Sequence, residues 1–307
     1  MNQRILITGS SGLVGSALTS TLLSAGVEVV QFDLRGIGAA QGDVRDRARL
    51  HDIVSRVDGV VHLAAVSRVI WGERDPDLCM ATNVGGLRNM LESAAHSARA
   101  PWLVFASSRE VYGQPETLPA NEDAPLRPVN VYGHSKVAGE TLVAEARRAG
   151  LRACTVRLSN VFGSTSDHAD RVVPAFARAA ALGAELRVDG LDHTFDFTHI
   201  DDVSRGIVAV AELLAKGGAP PPPIHFVTGQ PTTLGELASL AVRLAKSGSP
   251  VRPAAPRDFD VARFCGDPTR ARTLLGWEPQ VGLEDGLARL VDAFKADGSA
   301  GQTQENQ

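Results

Sequence analysis

Short apolar runs alternate with longer amphipathic stretches along the first half of the chain. Residues 4–8, 28–33, 60–65, 102–108 and 153–159 read as strands, each a near-continuous run of β-branched, aromatic or other apolar side chains. Between them, residues 14–25, 83–96 and 132–149 carry apolar side chains at helical spacing, and a loop-and-helix stretch fills 36–56. Strands apolar on both faces, separated by helices, predict a parallel sheet covered on both sides. The expected fold class is α/β, a doubly wound parallel sheet.

Past residue 163 the rhythm changes. Residues 171–182 and 233–246 predict helices, with Thr232 or Thr233 capping the second and Glu236 in its first turn. Residues 186–189 and 224–227 predict strands, the latter entered from a proline run at 220–223 that reads as an extended loop. Another helix is expected after Asp201 and Asp202, read as its caps. The small polar residues 299–307 predict a frayed tail. No segment repeats.

Composition narrows the function classes. The 307 residues carry 31 basic and 35 acidic side chains, a formal net charge of −4, and no run of Lys or Arg that could track a phosphate backbone. A nucleic-acid partner is not expected. The apolar stretch at 57–66 is broken by Asp58, Gly59 and His62, far short of the roughly 20 residues that span a bilayer. No membrane partner is expected, and the N-terminus lacks the longer apolar region of a signal peptide. Cys79, Cys154 and Cys265 form no CxxC pair, so no disulfide framework and no metal site is expected. His193, His199, Asp201 and Asp202 likewise lack a metal-ligand spacing. A cytoplasmic location fits these features. Two scarcities matter for the chemistry: there are two tyrosines, Tyr112 and Tyr132, and four lysines.

The strongest local signal is Thr8-Gly9-Ser10-Ser11-Gly12-Leu13-Val14-Gly15, between the first strand and the first helix. Glycines there permit a tight turn and close approach of backbone to a pyrophosphate, while the opening helix aims free N–H groups at it. Asp33 ends the second strand 18 residues after Gly15. A carboxylate at that place accepts both ribose hydroxyls and repels a 2′-phosphate, which favours NAD over NADP, although Arg35 could soften the repulsion. Asp43 reads equally as an adenine contact, with Val44 beside it, or as a helix N-cap. His62 reads as a hydrogen-bonded core histidine, and Trp71 as packing.

Tyr132 and Lys136 lie four apart on a helix, hence on one face. An ammonium there is expected to lower the phenol's pKa from about 10 towards working pH, making it a general base for a hydroxyl being oxidised. Ser107 and Ser108 end the strand 102–108, at the carboxyl edge where open α/β sheets bind ligands.

These motifs, with HLAA (62–65), Asn83, SSREVYG (107–113), YGHSK (132–136), RLSNVFG (157–163), FDFTHIDDV (195–203) and LLGWEP (274–279), resemble the extended short-chain dehydrogenase/reductase family, specifically its NAD-dependent nucleotide-sugar epimerase/dehydratase branch. The resemblance spans nearly the whole chain and implies a Rossmann-type sheet with a smaller mixed α/β C-terminal substrate lobe. It divides the chain into an NAD-binding domain (1–164 with 191–228), a substrate-binding lobe (165–190 with 229–296) and a flexible tail (297–307). It implies that Ser108, Tyr132 and Lys136 are catalytic. Gly9, Ser11, Gly12, Leu13, Val14, Gly15, Asp33, Arg35, Asp43, Val44, Leu63, Ala64, Ala65 and Asn83 would hold NAD, together with Tyr132 and Lys136. Ser108, Arg109, Glu110, Asn160 and Arg257 would meet a nucleotide-sugar substrate.

The sequence departs from the family pattern at two places. Phe195 stands where many relatives have an arginine that binds the substrate diphosphate. Arg109 stands where dehydratases have an aspartate, which argues against loss of water, while Glu110 resembles a glutamate kept in some decarboxylases. The resemblance implies a nucleotide-sugar 4-epimerase acting as a homodimer. A dehydrogenase or decarboxylase on the same scaffold is the alternative, and a non-catalytic NAD sensor a remote one.

Overall fold

The computed structural model describes residues 3–256 and 261–304, with side chains to residue 297. Six strands, β1 (Arg4–Thr8), β2 (Glu28–Phe32), β3 (Gly59–His62), β4 (Trp102–Ser108), β5 (Ala153–Leu158) and β9 (Ile224–Phe226), form one sheet in the order β2-β1-β3-β4-β5-β9. Every neighbouring pair is parallel. Thr8 pairs with both Phe32 and His62, and Ser108 with Leu158, so the carboxyl ends share one edge. The chain runs outward from β1 to β2 and then returns to the far side of β1. Strand order thus reverses between β1 and β3, the place where such sheets open a crevice.

Alternation explains why these strands look uniformly apolar. Ile5, Ile7, Val61, Val104 and Val156 point to one face and join a core with Leu18 and Leu22 of α1 (Leu13–Ser24) and Val203 and Ile207 of α8 (Ile200–Ala215). Leu6, Val60, Leu103 and Phe105 point to the other face. They pack on Leu50 of α2 (Arg47–Val54), Leu87 of α5 (Gly86–Ala95) and Val143 of α6 (Val131–Arg148). Short α3 (Val69–Arg74) and α4 (Pro76–Met80) lead through a π-helical turn, Ala81–Gly85, into α5. Regular helix therefore begins at Gly86, three residues later than the apolar spacing predicts.

A smaller mixed α/β lobe follows, as expected. It contains β6 (Asn160–Phe162), α7 (Val172–Ala181), β7 (Leu186–Asp189), β8 (Thr194–His199), β10 (Pro231–Thr233), α9 (Leu234–Ala245), β11 (Val251–Ala254) and α11 (Leu283–Gln304). β8 pairs antiparallel with β10 and parallel with β6, while β7 and β11 form a separate parallel pair. Phe176, Val188, Phe197, Leu237, Phe264 and Val291 build its core. α10 (Thr269–Leu275) instead sends Ala271 into the main-sheet core, where Trp277 also packs.

Two expectations change here. His199, not Asp201 or Asp202, caps α8, its Nδ1 accepting from Asp201 N at 3.2 Å. Asp202 is fully buried and accepts from the backbone N–H groups of Gln280 and Val281, tying α8 to the loop before α11. The helix α11 continues through residues 299–304, where a frayed tail is expected, because each added residue of an existing helix gains its own backbone hydrogen bond. Thr233 does cap α9, in a reciprocal pair with Glu236. Among the described residues no helix is long and apolar enough to cross a membrane.

Candidate active site

The turn after β1 is built by its glycines. Gly9 has φ +72°, and a Cβ there would lie 2.7 Å from Ala64 N, so only glycine lets the turn lie against the segment leaving β3. A Cβ on Gly15 would come within 2.1 Å of Gly9 O, which closes the α1–β1 packing to any larger residue. Gly12 has a single neighbour, Gly9 O at 3.2 Å, and otherwise faces open space. It caps α1 without a side chain, so the first N–H groups of the helix are left for an anion. The chain therefore fits a dinucleotide at this turn.

Asp33 is buried beside the turn. Its Oδ2 accepts from Ser11 N at 3.0 Å and its Oδ1 from Arg35 N at 2.7 Å. The Arg35 guanidinium folds back and donates to Ser11 O. Asp43 does not cap α2; Asp46 does, accepting from Arg49 N. Asp43 is instead held by the Arg45 guanidinium, which draws its pKa down. The Val44 side chain belongs to the core under α5. Asn83 is likewise occupied: its Oδ1 accepts from Val66 N at 2.7 Å and its Nδ2 donates to Val66 O and Ser135 Oγ. It fastens the segment after β3 to α6. His62 is the hydrogen-bonded core histidine expected, 3.0 Å from Thr8 Oγ1.

A cleft of about 430 Å³ opens along the carboxyl edge. Its lining includes Gly9, Gly12, Leu13, Val14, Gly15, Leu63 and Ala65 around the glycine turn, Ser108, Arg109, Glu110, Tyr132, Lys136 and Asn160 beyond β4, and Arg187, His193, Phe195 and Val261 of the smaller lobe. Ser108 sits where β4 ends, its Oγ capping the turn that follows by accepting from Glu110 N. Asn130 caps α6 by accepting from Gly133 N at 2.8 Å, which fixes the first turn carrying Tyr132. The Tyr132 hydroxyl is hydrogen-bonded to Ser108. Lys136 Nζ lies 5.6 Å from the Tyr132 ring centre and donates to Ala106 O at 2.8 Å.

The electrostatics differ from the expectation. Burial pushes the Tyr132 phenol up to about 12, against the pull of the Arg171 guanidinium and the Ser108 hydrogen bond. Lys136 does not bring it down: the ammonium faces the ring and Ala106 O, and burial lowers its own pKa to about 8. Beneath the cleft, Glu140 receives a bidentate pair from Arg157 and a hydrogen bond from Ser107. Arg157 also donates to Tyr112, whose hydroxyl meets His225. The second tyrosine is thus wholly structural.

Glu110 is not free in the cleft. Its Oε2 accepts from Asn130 Nδ2 at 2.8 Å and its Oε1 pairs with Arg109 Nη2 at 2.9 Å. Arg109 also reaches Asn160, donating to its Oδ1. Arg257 lies outside the described residues. Sequence reasoning missed Arg171, Arg187 and His193, which line the cleft, and the Arg68–Asp170 ion pair across its rim. They stand in polar loops and at strand ends without periodic signal. Trp71, expected as packing, is half-exposed with its ring edge-on to His168.

A family model described as the NAD dependent epimerase/dehydratase family matches residues 5–227. UDP-glucuronic acid decarboxylase 1 of Danio rerio is 32% identical over 310 residues, covering 95% of this chain and 72% of the relative. UDP-glucose 4-epimerase of Mycolicibacterium smegmatis is 31% identical over 316 residues, covering 95% and 98%. The crystal structure of UDP-glucose 4-epimerase from Thermotoga maritima with UDP-glucose superposes with a TM-score of 0.88 at 28% identity, covering 96% of this chain and 99% of that one. The chain belongs to the NAD-dependent epimerase/dehydratase family.

Proposed function

We propose that this chain is a nucleotide-sugar 4-epimerase whose acid–base group is Tyr132. The observation that carries the reading is a single one: the phenol of Tyr132, bonded to Ser108 and one helical turn from Lys136, shares a cleft with the glycine turn after β1. NAD, when bound, supplies the acceptor and donor of hydride. The turn and the N-terminus of α1 would hold its pyrophosphate, Asp33 the adenosine ribose, and Lys136 the ribose at the reactive end. In this reading the six-stranded sheet and its helices, within 1–164 and 191–228, bind the cofactor, and 165–190 with 229–296, joined by the lobe strands β6 and β8, enclose the sugar nucleotide.

The chain's own residues then handle a proton. Tyr132 Oη takes it from the 4-hydroxyl, while Ser108 Oγ donates to the sugar oxygen as charge develops. A phenol held up to about 12 is protonated at neutral pH, so this step requires positive charge close to the ring. Arg171 supplies part of it from the protein. The resulting 4-keto sugar would turn over in the cleft, so that C4 regains hydride on its opposite face while its oxygen regains a proton from Tyr132, which inverts the hydroxyl.

Loss of water would require a free acid beside Tyr132, and both oxygens of Glu110 are already engaged. A decarboxylase is the second reading, favoured by the same glutamate standing in the cleft wall. Incubation with UDP-glucose, UDP-galactose and UDP-glucuronic acid separates them. An epimerase interconverts sugars without net NADH; release of carbon dioxide marks a decarboxylase, stoichiometric NADH a dehydrogenase. No chemical change in any sugar nucleotide would contradict all three. The reading also takes the protein to be cytoplasmic and a homodimer, and light scattering of the purified chain tests the dimer.

A further inference from the structure

Arg109 follows β4 and turns its side chain into the cleft wall, where it is only 11% exposed. A guanidinium keeps its charge at every working pH and carries five N–H donors in one plane. Nε donates to Asn160 Oδ1 at 3.1 Å, and Nη2 faces Glu110 Oε1 at 2.9 Å. The guanidinium carbon lies 4.5 Å from the centre of the Phe195 ring, which covers one face of the group. Nη1 is buried and has no acceptor.

A buried cation with an unmatched donor is unusual, because water has been removed from it and nothing has replaced the water. Glu110 balances the charge through one oxygen while its other oxygen is held by Asn130. The remaining Arg and Lys side chains of the cleft wall face acceptors of their own: Arg68 has Asp170, Arg171 has Asp167, Arg187 has Asp189, and Lys136 has Ala106 O. Among the described residues, Arg109 alone of these cations has a buried nitrogen without an acceptor, in the stretch of wall that carries Ser108 and Tyr132.

We infer that Arg109 reads an anionic oxygen of the substrate, either a carboxylate on the sugar or a phosphoryl oxygen of the nucleotide. Both accept a charge-assisted hydrogen bond from a guanidinium, and Nη1, the nitrogen left without an acceptor, is the donor that would make it. The inference rests on the nucleotide-sugar reading above and deepens it by assigning what sets the substrate class.

The test uses the NAD-loaded Tyr132→Phe protein, which binds without turnover, titrated by calorimetry with UDP, UDP-glucose and UDP-glucuronic acid. Adding Arg109→Gln should raise the dissociation constant about 10- to 100-fold for the ligand that carries the anion, the weight of one charge-assisted hydrogen bond. Arg109→Lys, which restores charge, should recover most of the loss. Weakening confined to UDP-glucuronic acid assigns the sugar carboxylate; equal weakening of all three assigns the phosphoryl oxygen. Dissociation constants within about twofold of the parent for all three ligands would overturn the inference. So would equal losses in the Gln and Lys variants accompanied by a lower melting temperature and weaker NAD binding, the mark of a structural role. If none of the three binds the parent, the proposed function fails, and this inference with it.

Discussion

Tyr132 is where a residue's neighbours decide its chemistry. Spacing alone brings Lys136 to the same helical face, but the lysine reaches the ring and Ala106 O, and burial dominates the phenol. The cation that opposes burial is Arg171, from the smaller lobe, which no local spacing connects to Tyr132. The site as folded thus holds a protonated phenol and a buried amine, and its reactivity depends on charge arriving with the bound molecules. Tyr132→Phe removes the transferable proton and leaves the glycine turn and Asp33 untouched. It should lower kcat by roughly 10²–10⁴-fold, the usual weight of one acid–base group, with NAD binding by fluorescence titration nearly unchanged. A kcat within tenfold of the parent would remove Tyr132 from the reaction.

At the scale of elements, the placement of that phenol depends on the start of α6. Asn130 does two things at once: its Oδ1 caps Gly133 N and its Nδ2 holds Glu110. Asn130→Ala should therefore cost about 1–2 kcal/mol of unfolding free energy, seen in a denaturant titration. It should also lower kcat more than it weakens NAD binding, because α1 and β1 are unaffected. A variant as stable and active as the parent would mean that the cap does not position Tyr132. Much of the element layout is legible in the sequence for a physical reason: strands buried on both faces must be apolar at every position, so β1, β3, β4 and β5 stand out as runs. β6, β10 and β11 have three or four residues, too few for alternation to register, and they pair only because the lobe's core at Phe197 and Phe264 gathers them. The same limit hid the site's second half. Gly9, Gly15 and Ser108 are fixed by local backbone demands, whereas Arg171, His193 and the Arg109–Glu110–Asn130 chain come together only through tertiary packing.

Over the whole molecule, buried neutral histidines make stability depend on pH. Burial lowers His62 and His225 to about 3, against an ordinary value near 6.5. Below 6.5 the unfolded chain binds protons that the folded chain refuses, so the stability these residues contribute is full above that pH and is lost as pH falls towards 3. Each contributes a slope of about 1.4 kcal/mol per pH unit within that window. Burial raises the carboxyls of Glu122, Asp167 and Asp196, and those groups oppose the trend on acidification. The readout is therefore a difference: His225→Gln should flatten the fall in denaturation midpoint between about pH 6 and pH 4 relative to the parent. Parallel curves would show that His225 titrates normally in the fold.

Both lobes line one cleft, which brings together the glycine turn, Tyr132, Arg187 and His193. In the proposed reaction, hydrogen leaves C4 of a sugar nucleotide held in this cleft and returns to the opposite face. Nuclear magnetic resonance of the product formed from UDP-glucose deuterated at C4 addresses it directly. The expected result is UDP-galactose that keeps deuterium at C4, formed by the parent and not by Tyr132→Phe. Unchanged UDP-glucose, or product whose C4 deuterium has been lost to water, would contradict it.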